Sequence, residues 1–151
     1  MKEINSSIFV KAPKDIIFSV LKDIEKYPLY MKYVQNIEIK ECLDNSKISK
    51  WTIDVDGADV VWLQKDEFNE TTNELFFSQI KGDYTDYRGK WYVEEKAGKS
   101  RLTINMKIDW GIPSFEKLLG PVLERKIKRI LRAMMIAIKL RSQKSLINIR
   151  R

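Results

Sequence analysis

The 151 residues carry 28 Lys/Arg against 21 Asp/Glu, no histidine and one cysteine, Cys42. These absences exclude a Ser-His-Asp or Cys-His mechanism, a His-ligated metal, a zinc cluster within the chain and an intrachain disulfide. The net charge of +7 is concentrated at one end: from Pro121 to Arg151 ten Lys/Arg stand against Glu124 alone, a charge of +9 that leaves residues 1–120 at −2.

The length fits a single domain over 1–151, with 121–151 as a basic helix and tail. No run approaches the roughly 18 apolar residues of a membrane span. A strand begins within a few residues of Met1, which does not read as a signal peptide. With one thiol, the expected setting is reducing and cytoplasmic. The six glycines are scattered and form no phosphate loop, and no cofactor or metal is expected.

Residues 3–11 alternate as a strand. Pro13 suits the first turn of a helix, where its missing N–H costs nothing. Ile16, Ile17, Val20 and Leu21 then form a helical stripe. Asp23 is the expected N-cap of a short second helix carrying Tyr27, Tyr30 and Tyr33. From Gln35 the period becomes two. Trp51, Ile53 and Val55 alternate with Thr52, Asp54 and Asp56. Gly57-Ala58 is the expected hairpin turn, pairing Val55 with Val60, Ile53 with Trp62 and Trp51 with Gln64. Leu75 to Ile80 is apolar on both faces, so its orientation stays open.

Tyr87, Gly89, Trp91 and Val93 form one face of the next strand. Leu102, Ile104, Met106, Ile108 and Trp110 form that of the last one. After Pro113 the period returns to 3.6, with Ser114 as N-cap and Gly120-Pro121 as an expected break or kink. At 100° steps Leu123, Ile127, Ile130, Leu131, Met134 and Ile138 share one face of the final helix. Arg125, Lys128, Arg129, Arg132 and Lys139 share the opposite one, and Ile136 and Leu140 fall off the core stripe. A one-faced antiparallel sheet needs a cover, and this helix supplies it. The fold class is therefore α+β, a curved seven-stranded antiparallel sheet around a long C-terminal helix.

Several pieces resemble the START-like SRPBCC superfamily, in its polyketide cyclase/dehydrase (coenzyme Q-binding-like) branch. They are Ala12-Pro13, Asp23-Ile24-Glu25-Lys26-Tyr27-Pro28, Gly89-Lys90-Trp91 and Trp110-Gly111-Ile112-Pro113. The resemblance implies a helix-grip fold with an apolar cavity between sheet and helix. It also implies a role in binding or transporting a small hydrophobic molecule, a lipid, isoprenoid or polyketide-like compound. Aromatase/cyclase action on a polyketide chain is the alternative. A ribosome- or protein-binding module using the basic helix is the third.

Trp51, Trp62, Trp91 and Trp110 share the inner face of the sheet. Core packing explains any one of them; four together read as a pocket wall. Phe77, Ile104, Met106, Leu119, Leu123 and Met134 extend that wall. Gln64 and Gln79 are its polar candidates, because a buried amide needs a partner. The resemblance implies that the short second helix, with Tyr27, Tyr30 and Tyr33, rims the cavity mouth, and Tyr84 and Tyr87 lie near a strand turn expected to face the same opening. No inward Asp, Glu or Arg is assigned, and Arg88 falls on the solvent face, which counts against cyclase chemistry. The basic face reads as a solvated surface, as a contact for an anionic membrane or a ribosome, or as a site of homo-oligomerisation.

Overall fold

The computed structural model describes residues 2–82, 86–109 and 113–150, and the side chains of 2–82, 86–109 and 120–148. Strand β1 (Lys2–Val10) leads into helix α1 (Lys14–Lys22), a 3-10 turn (Ile24–Lys26) and the one-turn helix α2 (Tyr27–Tyr30). Six strands follow: β2 (Val34–Leu43), β3 (Ser46–Val55), β4 (Ala58–Asn69), β5 (Glu74–Gly82), β6 (Asp86–Lys96) and β7 (Lys99–Asp109). Helix α3 (Pro113–Arg150) ends the chain. All strands pair antiparallel in the order β1-β7-β6-β5-β4-β3-β2. This is the α+β helix grip, a curved sheet under one long helix.

The entry follows from local chemistry. Pro13 is extended, and its carbonyl accepts the Ile16 and Ile17 N–H groups that open α1. Ile17, Phe18, Val20 and Leu21 are buried. Asp23 makes no side-chain cap, contrary to expectation; its carboxylate pairs with Lys26 at 3.1 Å. The Tyr27 hydroxyl donates to the Leu21 carbonyl and fixes this turn against α1. Met31 is extended, so Tyr33 falls outside α2.

The β3–β4 turn is Asp56-Gly57, not Gly57-Ala58. Both residues have positive φ, 52° and 87°, as the tight turn matched to strand twist requires. Asp-Gly supplies this more readily than Gly-Ala. The register is therefore two residues from the expected one: Ile53 faces Val60, Trp51 faces Trp62 and Ser49 faces Gln64. A slip of two keeps every side chain on its face. The β5 ambiguity also resolves. Leu75 and Phe77 point inward, Phe76 and Ile80 outward. Ile80 is the extra residue of a bulge, since Leu63 pairs with Lys81 and Gln64 with Gln79.

Gly89 is required by close approach. A Cβ there would lie 2.7 Å from Phe77 Cζ and against the Asn105 carbonyl on β7. Gly89→Ala is expected to destabilise by about 1–3 kcal/mol through overpacking. Chemical denaturation would measure it, and an unchanged midpoint would show that β7 as well as Phe77 can shift to take the methyl group.

Helix α3 runs through Gly120-Pro121 with no break. A proline inside a helix costs about 3 kcal/mol. Burial of Ile127, Ile130, Leu131, Met134, Met135 and Ile138 beyond it offsets that cost. Backbone to backbone, α3 approaches α1 and β1 most closely. Over the middle strands the space between helix and sheet is filled by large side chains.

Candidate functional site

That space is where the sequence expectations meet. Trp51, Trp62, Gln64, Phe77, Tyr87, Trp91, Ile104, Met106 and Met134 surround one cavity, joined by Ile53, Ile127, Ile130 and Leu131. Tyr30, Gln79 and Leu123 stand outside this wall. Tyr30 lies on α2 with the Arg141 guanidinium 4.4 Å over its ring. Gln79 faces Gln64 in register and is half-buried. Leu123 is half-buried one turn short of the wall. The side chain of Leu119, and all of Tyr84 and Trp110, lie outside the described residues.

The cavity is small, about 40 Å³. Pockets that take drug-sized ligands hold roughly 300–1,000 Å³. A ligand-sized void is thus not open in this conformation. The aromatic side chains occupy it themselves: Trp51 stacks on Trp62 at 5.6 Å, Tyr87 lies 5.6 Å from Trp62, and Phe77 lies 5.2 Å from Tyr87.

Polar groups are wired in series beneath the aromatics. Trp51 Nε1 donates to Ser49 Oγ at 3.0 Å. Trp62 Nε1 donates to Gln64 Oε1 at 2.8 Å, and Gln64 Nε2 donates to Asp66 Oδ1 at 2.9 Å. The expectation that no carboxylate points inward is corrected here. Asp66 is 1 % exposed, and its Oδ2 has no hydrogen-bond partner among the described residues. Burial pushes its carboxyl up to about 7, against the smaller opposing effects of Gln64 and Lys47. The signal was legible: Trp62, Gln64 and Asp66 share one parity along β4. Lys47 faces Asp66 in register, but its ammonium bonds the Lys22 carbonyl and Glu25 Oε2, each at 2.9 Å. The inner face of β3–β4 therefore grades from a tryptophan pair through Ser49/Gln64 to Lys47/Asp66.

Ion pairs join α3 to the β3–β4 turn. Asp56, at the β3–β4 turn, pairs with Lys126 at 2.7 Å and Arg129 at 3.7 Å on α3. Exposed pairs of this kind are screened by solvent and contribute little. They also divide the basic face of α3. Arg129 answers to Asp56, and Lys128 to Glu124, which also meets Lys2. Arg125 and Arg132 are exposed as expected. Lys139 is not: it is half-buried because it flanks Ile138 and lies over the end of β1. Arg88 stays exposed, with Asp86 at 3.4 Å. No described helix is long and apolar enough to cross a membrane.

This architecture is shared with solved structures. A Thermus thermophilus protein superposes with a TM-score of 0.89 over 95% of this chain and 99% of its own, at 21% identity. The Zhui aromatase/cyclase from Streptomyces gives 0.84 over 96% and 95%, at 16% identity. A START superfamily protein from Mycobacterium smegmatis gives 0.78 over 94% and 97%, also at 16%. At such identities the likeness is one of fold. A search by sequence against curated proteins finds no match. The profile of the family described as polyketide cyclase/dehydrase and lipid transport matches residues 10–135, and the chain belongs to that family.

Proposed function

We propose that this protein binds a small, predominantly apolar molecule between the sheet and α3, and that the site opens to admit it. The observation that carries this reading is the composition of the cavity wall. Aromatic and aliphatic side chains surround a single amide, Gln64, whose orientation is fixed from both sides by Trp62 and Asp66. Apolar walls with one placed polar group are the usual make-up of a small-molecule site. The lipid-transport side of the family favours the same reading. Opening would part α3 from the β3–β4 turn, across which lie the exposed Asp56 pairs with Lys126 and Arg129. Met106 and Met134, both flexible, can repack around an occupant.

Tryptophan fluorescence tests this directly. An apolar ligand mixture extracted from the source cells, or a single probe such as a long-chain alcohol or a quinone, should change the emission of Trp51 and Trp62 saturably. Gln64→Leu should weaken binding of probes with a polar end about fivefold to tenfold, the loss of one hydrogen bond. It should spare fully apolar probes. If no apolar compound alters the emission and native mass spectrometry finds none retained, the reading fails.

Asp66 favours a second reading, aromatase/cyclase action on a polyketide chain. A carboxyl near 7 can give or take a proton at neutral pH, and it lies one hydrogen bond behind the wall. Turnover of a poly-β-ketone substrate by the parent chain and not by Asp66→Asn would establish it. Equal cyclisation with and without the protein would remove it.

A further inference from the structure

We propose that the end of the molecule formed by the last residues of β1, the β6–β7 turn and the middle of α3 docks on an anionic phospholipid bilayer, with Phe9 entering it. Phe9 is 68 % exposed, the most exposed aromatic among the described residues. It borders a hollow of about 290 Å³ together with Val10, Lys11, Lys99 and Lys139. No carboxylate lines that hollow, and none of the three lysines has an ion-pair partner among the described residues.

Elsewhere on this cationic protein the balance differs. Asp56 and Glu124 answer Lys126, Lys128 and Arg129 on α3. Three lysines with no such partner border the exposed ring in a hollow that no carboxylate lines. Arg101, opposite Phe9 in register, adds a fourth cation; its guanidinium donates to Ser7 Oγ, and Glu94 faces it from β6. An aromatic ring amid lysines suits a headgroup layer. The ring enters the acyl boundary, the lysine stems lie along it, and the ammonium groups reach phosphates and carboxylates. The inference does not depend on what the internal cavity holds.

Co-sedimentation of the full chain with vesicles tests it, using phosphatidylcholine alone and phosphatidylcholine with phosphatidylserine, at low and high salt. Binding is expected to the serine-containing vesicles only, and to fall with salt. Phe9→Ser should lower that partitioning about tenfold, the loss of one inserted aromatic. Lys11→Ala and Lys99→Ala should each lower it about fivefold. Arg125→Ala and Arg132→Ala, exposed on the other basic face, should leave it within about twofold. All these side chains are exposed, so circular dichroism should be unchanged. Equal binding to both vesicle types, or none to either, overturns the proposal. So does loss through Arg125 and Arg132 with Phe9→Ser unaffected. Binding of RNA through the same lysines while vesicles stay free would assign the surface to nucleic acid and overturn it as well.

Discussion

At pH 8, Asp66→Asn should be more stable than the parent chain by about 2–4 kcal/mol, an unusual direction for a core substitution. The sign follows from burial. The carboxyl titrates near 3.8 when the chain is unfolded and near 7 when Asp66 is enclosed. Between those values the folded protein holds a proton that the unfolded chain has lost. Stability from this group is therefore fully present below about pH 3.8, declines as pH rises towards 7, and stays flat above it. Asparagine has the shape of the neutral acid and can still accept from Gln64 Nε2, so it keeps the relay without the ionisation. The groups facing Asp66 are Gln64 on β4, Lys47 on β3 and Tyr27 on α2. Tyr27 is itself pushed well up by burial and stays neutral throughout. Urea unfolding of both chains from pH 4 to 8 would give curves that meet at the acid end and diverge upward. Parallel curves would mean that water reaches Asp66 Oδ2 and relieves its burial.

A carboxyl that lowers stability at neutral pH is a cost at this position, and the site offers a reason for carrying it. Asp66 accepts from Gln64 Nε2, which commits the amide oxygen to Trp62 Nε1. The indole is thereby held in one orientation against Trp51. An apolar residue at 66 would free the Gln64 amide to flip, and the wall of the cavity would lose its one fixed polar group.

The sheet and the long helix were legible in the sequence because each rests on period alone. The alternation of Leu102, Ile104, Met106 and Ile108 carries through to four buried side chains. The stripe from Ile127 to Ile138 is likewise buried. The hairpin register was not legible to the residue, because Asp56-Gly57 and Gly57-Ala58 differ by one position and preserve the same faces. Asp66 was missed although its parity was available; a charge on an inward position reads as a contradiction until Gln64 supplies its partner. The volume of the cavity could not be read at all. Period places Trp51, Trp62 and Trp91 on one face but leaves undetermined whether they line a void or fill it. Here Trp51 and Trp62 stack and fill most of it. The charges on α3 gave the reverse problem. Helical angle grouped Arg125, Lys128, Arg129 and Arg132, while the pairing of Lys128 with Glu124 and of Arg129 with Asp56, the latter some seventy residues away in the chain, divides them.

Trp91→Ala should cost about 3–5 kcal/mol, the range for removing a large buried aromatic. Trp91 is 5 % exposed, sits between Leu75 and Ile104 in register, and forms part of the cavity wall. Its indole occupies space that the neighbouring strands cannot close, because β5, β6 and β7 are held at fixed spacing by their backbone ladders. Only α3 could move in, through Ile127, Ile130, Leu131 and Met134. The variant thus asks how firmly the helix is seated. If α3 keeps its distance, the hole left by the indole joins the existing cavity and stays apolar. Added indole should then bind it and restore part of the lost stability, in proportion to the logarithm of its concentration. Thermal unfolding of Trp91→Ala with and without indole measures both effects. A loss under about 1 kcal/mol with no response to indole would mean that α3 collapses onto the sheet. The closed cavity would then reflect a helix that settles on whatever side chains lie beneath it, and the rigid seating expected here would be wrong.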